Sequence, residues 1–234
     1  MRLLVLDASG PICGTAVMEE EHVLCEHAVL TQRGRTSSRL MGMVDDALDE
    51  TGLRISEIDA IAVVVGPGSF TGVRIGVSTA KGLCHATGTP CVAVNALEAQ
   101  AECIQGFSGI VCPFFDAHLD QVYGAAFCGG TRLTPDEALT PSDYAERLRC
   151  LGNSFLFTGT GVDTYSGLLS EIFGECASFA PPHMRYLRPS AAGAVALRLA
   201  KCGELTDYTA VKPVYLRPPN AVENRELIEA MHRD

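Results

Sequence analysis

The sequence has no tryptophan, few aromatic residues and fewer basic than acidic side chains. Aromatic residues make up 6% of the 234 positions, and 18 Lys and Arg residues stand against 28 Asp and Glu residues, a net charge of −10. An acidic chain repels phosphate backbones, so direct binding to nucleic acid is not expected without a basic partner. Because 47% of the residues are hydrophobic, the chain can still bury a substantial core.

The sequence also lacks long apolar runs and closely spaced metal-ligand pairs. No run approaches the roughly 20 residues of a membrane span, and the chain opens on a strand pattern rather than a signal peptide. The 10 cysteines include no C-x-x-C pair, and the 6 histidines include no H-x-x-x-H or H-E-x-x-H pattern. We therefore expect reduced thiols, no protein-built metal site, no membrane association and a cytoplasmic location.

Hydrophobic periodicity predicts two similar α/β halves. The first half has the order βββαβαβα, with strands at 3–7, 12–18, 23–30, 58–65 and 91–94 and helices at 36–51, 71–87 and 95–105. The second begins with a strand at 110–115 that again ends in an acid, followed by a hairpin mate at 121–127. Helices at 141–149, 162–173 and 190–202, a strand at 155–158, an extended 214–217 and a tail helix from Val222 complete it.

This repeated order predicts two α/β lobes, residues 1–106 and residues 107–234, the second carrying the tail helix.

A glycine-rich loop, G-P-G-S-F-T-G-V-R-I-G at Gly66–Gly76, stands between a predicted strand and helix. It fits neither a Walker A loop nor a dinucleotide fingerprint, because the required Gly-Lys-Ser/Thr and third glycine are missing. It is not a nucleophile elbow, since Pro67 and Thr71 stand where glycines are required. It is therefore either a plain turn or a helix N-terminus that holds an anion. A vestigial nucleotide or anion site would use residues at this loop and at two strand ends: Asp7, Ser9, Gly66, Gly68, Ser69 and Asp116.

The helix after this loop carries more small and apolar surface than one sheet covers. Gly72 and Gly76 lie on a small-residue strip of this helix, and each glycine costs roughly 1 kcal/mol relative to alanine. Such a cost is tolerated where another backbone approaches closely. Either the helix is sandwiched inside its own domain, or one side packs on a partner subunit.

The Gly66–Gly76 motif, preceded by I-D-A-I-A-V, resembles the TsaB (YeaZ) family. L-V-L-D-A-S near the start, F-D-A-H-L-D-Q-V-Y at Phe115–Tyr123 and Y-L-R at Tyr215–Arg217 add to the resemblance. It implies the actin/Hsp70/sugar-kinase (ASKHA) fold, with two βββαβαβα lobes and a degenerate second one. It also implies a non-catalytic subunit that pairs with the TsaD enzyme and the ATPase TsaE to transfer a threonylcarbamoyl group to tRNA.

The resemblance further implies that the two long N-terminal helices contact a TsaD-like subunit or a second copy of the chain. The expected partner interface lies on these helices: Leu40, Met43, Ala47, Gly72, Val73, Arg74, Gly76, Val77, Ala80 and Lys81. No catalytic residue or cofactor of its own is expected, ATP and metal would lie on partner subunits, and tRNA would be reached only through the complex.

Two departures from the family pattern are visible. Thr36-Ser37-Ser38 opens the first helix where many relatives have a His-Ser pair, and His118 stands where arginine is usual. The alternative function is an ATP-dependent small-molecule enzyme or a peptidase of the same fold, although no nucleophile–His–acid set is visible in the sequence.

Overall fold

The structure is a computed structural model that describes residues 1–31 and 36–217, with side chains from residue 39 onward in the second range. The strands of its N-terminal half are β1 (Arg2–Asp7), β2 (Ile12–Glu19), β3 (His22–Leu30), β4 (Ala60–Gly66) and β5 (Cys91–Asn95). Its helices are α1 (Thr36–Thr51), α2 (Phe70–Thr87) and α3 (Ala96–Glu102). The sheet order is β3-β2-β1-β4-β5, antiparallel on the β2 side of β1 and parallel on the β4 side.

The second half repeats this topology. Its strands are β6 (Ile110–His118), β7 (Gln121–Gly124), β8 (Phe127–Cys128), β9 (Thr131–Arg132), β10 (Glu137–Leu139), β11 (Phe155–Thr158) and β12 (Ala177–Phe179). Its helices are α4 (Pro141–Arg149), α5 (Gly161–Phe173) and α6 (Pro189–Lys201). The order β10-β7-β6-β11-β12 matches that of the first sheet strand for strand, with the short β8–β9 hairpin added beside β6. The prediction of a duplicated α/β fold is therefore confirmed.

The first sheet is covered on both faces, which explains why β1 and β4 are apolar at nearly every position. Leu4 and Leu6 point to the face covered by α1 and α2. Leu3 and Val5 point to the other face, where α3 and α6 pack. The second sheet has its own aromatic core around Phe114, Phe155 and Phe157, together with residues of α4 and α5.

Helix α6 belongs by its packing to the first lobe, although it comes late in the chain. Its residues Ala192 and Val195 join Leu3 and Val5 in one buried cluster. The segment after α6 stays there, because Val211 is buried against the α1 and α2 side of the same sheet. The division into residues 1–106 and 107–234 remains a prediction, and helix α6 shows that a later part of the chain also covers the first sheet.

Most predicted elements match the structure within two or three residues. The extended segment expected at 214–217 is not a strand, and the short strands β9, β10 and β12 were not predicted. The tail helix expected from Val222 onward lies outside the described residues. Within the described parts of the chain, no helix has the length and apolar character needed to cross a membrane.

Candidate functional site: the outer helices and the ends of β1 and β4

The glycine loop between β4 and α2 packs directly on the turn that follows β1. A Cβ atom at Gly68 would lie 2.2 Å from the Ser9 carbonyl oxygen, and one at Gly72 would lie 1.9 Å from the Ala8 carbonyl oxygen. The Ser69 amide donates to Ser9 O at 2.6 Å, and the Ser69 hydroxyl caps α2 by accepting from the Gly72 amide. These glycines therefore serve close packing within the chain.

The residues of the expected partner interface divide between a buried side and an outer flank of α1 and α2. Eight of its ten residues are buried against the chain's own sheet: Leu40, Met43, Ala47, Gly72, Val73, Gly76, Val77 and Ala80. The reason is geometric, since α1 and α2 turn their widest apolar sides toward β1, β2 and β4. A Cβ atom at Gly76 would meet Val63 Cγ2 at 3.6 Å, so this glycine also faces the sheet. These eight residues therefore pack inside the chain's own domain, and whether the two helices also contact a partner remains a prediction.

Arg74 and Lys81 are the two predicted interface residues on the outer flank of α2. The Arg74 guanidinium lies 3.8 Å from the centre of the Phe70 ring, and its Nε donates to the Tyr215 hydroxyl at 2.9 Å. Lys81 is half-buried, and its charge helps to lower the pKa of Asp207, after the hydrogen bonds that Thr209 donates to that carboxylate. Whether a partner covers either residue remains a prediction.

The outward side of α2 carries a stripe without charged side chains, bordered by the exposed Arg74 and His85. This stripe consists of small or apolar residues that are exposed or half-buried: Thr71, Ile75, Ser78, Thr79, Gly82 and Ala86. The neighbouring α1 presents a different surface, with exposed Met41 and Gly42 beside Asp45, Asp46 and Asp49. Gly42 and Gly82 both face open space, because a Cβ atom built at either one meets nothing within 4 Å. Eight of the ten predicted interface residues lie on the buried sides of the two helices, whereas this outer surface is accessible.

Asp7, at the end of β1, is sealed from solvent. Its Oδ1 accepts hydrogen bonds from the Ser9 amide at 2.8 Å and the Ser9 hydroxyl at 2.7 Å. Its Oδ2 is buried without a hydrogen-bond partner among the described residues. Burial raises the pKa of Asp7 from 3.8 to about 6, against the lowering effect of the Ser9 hydrogen bonds. Asp7 is therefore closed off from solvent, and its part in a vestigial ligand site remains a prediction.

Asp116 occupies the equivalent position in the second lobe but is half-buried. Its Oδ1 accepts from the His118 amide at 2.8 Å, and its own amide donates to Thr160 Oγ1 at 3.1 Å. His118 Nδ1 lies 3.8 Å from Asp116 Oδ1. Asp116 and Asp7 each make their polar contacts locally, so these contacts do not join the two halves of the expected vestigial site.

A C-terminal strap, residues Val211–Arg217, runs from the first lobe to the second. The Val214 amide donates to Val65 O at 2.8 Å, at the end of β4. Tyr215 packs on Phe70 with ring centres 4.8 Å apart, and Arg217 Nη1 donates to Ala117 O at 3.3 Å. The strap thus joins the ends of β4, α2 and β6, with Val214 bonded to β4 and the Y-L-R motif in contact with α2 and β6.

Comparisons with known proteins agree with this architecture. Residues 31–224 match the family model described as "TsaD: tRNA N6-adenosine threonylcarbamoyltransferase". The tRNA threonylcarbamoyladenosine biosynthesis protein TsaB of Bacillus subtilis is 30% identical over 221 residues, 93% of this chain and 94% of that protein.

Two solved structures have a similar fold. YeaZ from Pseudomonas aeruginosa superposes with a TM-score of 0.77 at 30% identity, covering 92% of this chain and 99% of that one. The ROK hexokinase of Thermus thermophilus has a TM-score of 0.50 at 16% identity, covering 87% and 100%, which shows the fold alone.

The duplicated sheets and these matches define a two-lobed protein of the ASKHA fold, within the wider family of threonylcarbamoyltransferases. Within that class, the chain belongs to the TsaB (YeaZ) family of tRNA threonylcarbamoyladenosine biosynthesis proteins.

Proposed function

We propose that this chain is a non-catalytic scaffold and activator subunit of the complex that makes N6-threonylcarbamoyladenosine in tRNA. It binds a TsaD-like catalytic subunit through the outward faces of α1 and α2, and a TsaE-like ATPase joins the assembly. A second copy of the chain is the competing occupant of the same surface. ATP and metal lie on the partner subunits, tRNA is contacted only through the complex, and the assembly works in the cytoplasm.

The observation that carries this proposal is the stripe of small and apolar residues on the outer side of α2. In a chain with a net charge of −10, a helix of 18 residues turns Thr71, Ile75, Gly82 and their neighbours outward. Small side chains let a partner helix approach closely, and their desolvation on binding costs little because none is charged. The acidic outer face of α1 and Arg74 on the flank of α2 border this strip and would set the orientation of the partner.

The test places an arginine in the middle of the proposed interface. Gly82 is exposed within α2 and faces open space, so Gly82→Arg keeps the fold and gains helix propensity of roughly 0.5–1 kcal/mol. We expect it to weaken binding to the TsaD-like subunit at least about tenfold, because a long cation must be buried or displaced. Binding is measured by calorimetry and by co-purification.

Gly167→Arg is the matched control. Gly167 is also an exposed helical glycine with nothing within 4 Å of a built Cβ atom, but it lies on α5 in the second lobe. We expect Gly167→Arg to bind like the unmodified chain. If Gly82→Arg binds as tightly as the unmodified chain, the interface lies elsewhere. If both variants lose binding, the added charge rather than its place on the surface is responsible.

The alternative, an ATP-dependent small-molecule enzyme or a peptidase, receives less support. Asp7 is fully buried, and the Ser69 amide that could cradle a phosphate donates to Ser9 O instead. Calorimetric titration of the isolated chain with Mg·ATP distinguishes the two. Tight binding that Asp7→Ala abolishes would favour the enzyme.

A further inference from the structure

Three side chains of kinds that ligate transition metals meet between β3 and α1, away from the outer face of α2. They are Cys25, His27 and Glu50. Cys25 and His27 are two residues apart on β3, so their side chains point to the same face of the sheet. Glu50 lies in the last turn of α1, which packs over that face. One edge strand and one helix end therefore supply all three groups.

The distances suit a shared ion. Glu50 Oε2 lies 3.2 Å from Cys25 Sγ and 3.0 Å from His27 Nε2, and all three ligand atoms lie within 4.8 Å of one another. Ligand atoms of a tetrahedral zinc site are about 3.3–3.6 Å apart, as follows from bonds of about 2.0–2.3 Å. Small rotations of the three side chains, of which Glu50 is 61% exposed, would bring the set to that spacing.

The chemistry also matches. A thiolate, an imidazole and a carboxylate are the three kinds of zinc ligand that proteins use, and the thiolate and carboxylate together neutralise a divalent ion. The ion would lie near the C-terminal end of α1, where the helix dipole favours a cation. Partial exposure of His27 and Glu50 leaves a path for the ion and room for a water molecule.

We propose that Cys25, His27 and Glu50 form a Zn²⁺ site that fastens the end of α1 to β3, with water as the fourth ligand. Without metal, the same groups form a hydrogen-bonded tether in which the Cys25 thiol donates to Glu50. Ligand spacings along the sequence do not predict this site. Cys25 and Glu50 come together only through the packing of α1 on the sheet.

The test measures zinc binding by the full chain, stripped of metal with a chelator that is then removed. Competition against a chromophoric zinc chelator gives the affinity, and Co²⁺ substitution reports a thiolate ligand through its near-ultraviolet charge-transfer band. We expect zinc to raise the unfolding temperature. Cys25→Ser should abolish the cobalt band, and Glu50→Gln should weaken zinc binding at least about tenfold.

Asp49→Asn is the matched control, because Asp49 is the exposed acid next to Glu50 on α1 but is not one of the three ligands. It should retain the affinity, the cobalt band and the thermal shift. The proposal is overturned if Cys25→Ser and Glu50→Gln bind zinc as tightly as Asp49→Asn, since other thiols would then account for the metal. Glu50→Gln decides the matter even if Cys25→Ser folds poorly, because position 50 is exposed.

Discussion

A buried carboxylate at the end of β1 links the packing of the glycine loop to pH. Asp7 is fully buried, and two hydrogen bonds from Ser9 leave its Oδ2 without a partner among the described residues. Its pKa rises from 3.8 to about 6 on burial, so the folded state favours the protonated form. The ionised carboxylate therefore destabilises the fold, and this penalty develops as the pH rises from about 4 to about 6.

We predict that Asp7→Asn gains stability relative to the unmodified chain as the pH is raised. Asparagine keeps the acceptor for both Ser9 hydrogen bonds but cannot ionise. The pKa of Asp7 is 3.8 in the unfolded chain and about 6 in the folded chain. The unfolding free energy of Asp7→Asn minus that of the unmodified chain should therefore increase by about 2 kcal/mol between about pH 4.5 and about pH 7.5. Urea unfolding at both pH values measures it. If the difference in unfolding free energy does not change with pH, burial does not raise the pKa of Asp7.

Individual residues were harder to place from the sequence than the elements that carry them. The Gly66–Gly76 motif predicts that another backbone approaches this segment closely. Hydrophobic periodicity does not tell whether that backbone belongs to the chain's own sheet or to a partner. The structure shows the Ala8 and Ser9 carbonyl oxygens against Gly72 and Gly68. The cluster of Cys25, His27 and Glu50 has no pattern along the sequence, because Glu50 lies 23 residues after His27 and on a different element.

Helix α2 shows how the two glycines on its buried side differ. A Cβ atom at Gly72 would lie 1.9 Å from a backbone oxygen, whereas one at Gly76 would lie 3.6 Å from a side-chain methyl. Backbone cannot move aside as a side chain can. Two glycines four residues apart in one helix therefore have different roles, the first required by contact and the second open to alanine.

We predict opposite effects for alanine at these positions. Gly72→Ala should destabilise the chain by at least about 2 kcal/mol, because α2 must shift away from the turn after β1. Gly76→Ala should be neutral or stabilise by up to about 1 kcal/mol, since alanine favours the helix and fits at ordinary contact distance. Urea unfolding of both variants measures the contrast. Equal destabilisation would mean that both glycines are needed for the same reason.

Most elements were predictable because their burial is regular. Both α1 and α4 have the predicted bounds, and β11 was predicted residue for residue. The strands that were missed are two or three residues long, too short for an alternating pattern to stand out. The sequence predicts an extended segment only at 214–217, and this segment is held by one backbone hydrogen bond to β4 and by the packing of Tyr215 rather than by a strand ladder.

At the scale of the whole molecule, the position of a helix along the chain does not decide which lobe it packs in. Two sheets with the same strand order support the duplicated ASKHA fold. Helix α6 follows the last strand of the second sheet, yet it covers the first sheet beside α3. A Cβ atom at Gly193 of α6 would lie 2.1 Å from Met18 Sδ, so this helix is packed closely on β2. Periodicity predicts that α6 is amphipathic but not which sheet it covers.

We therefore predict that residues 1–106 do not fold as an independent domain. Without α6, the side chains of Leu3, Val5 and Met18 lose the helix that buries them, and the sheet exposes one apolar face. The isolated fragment should unfold without a cooperative urea transition and should self-associate. Joining residues 187–217 to it through a flexible linker should restore a cooperative transition, because α6 and the strap then return. A cooperative transition in the fragment alone would mean that α3 suffices to cover that face.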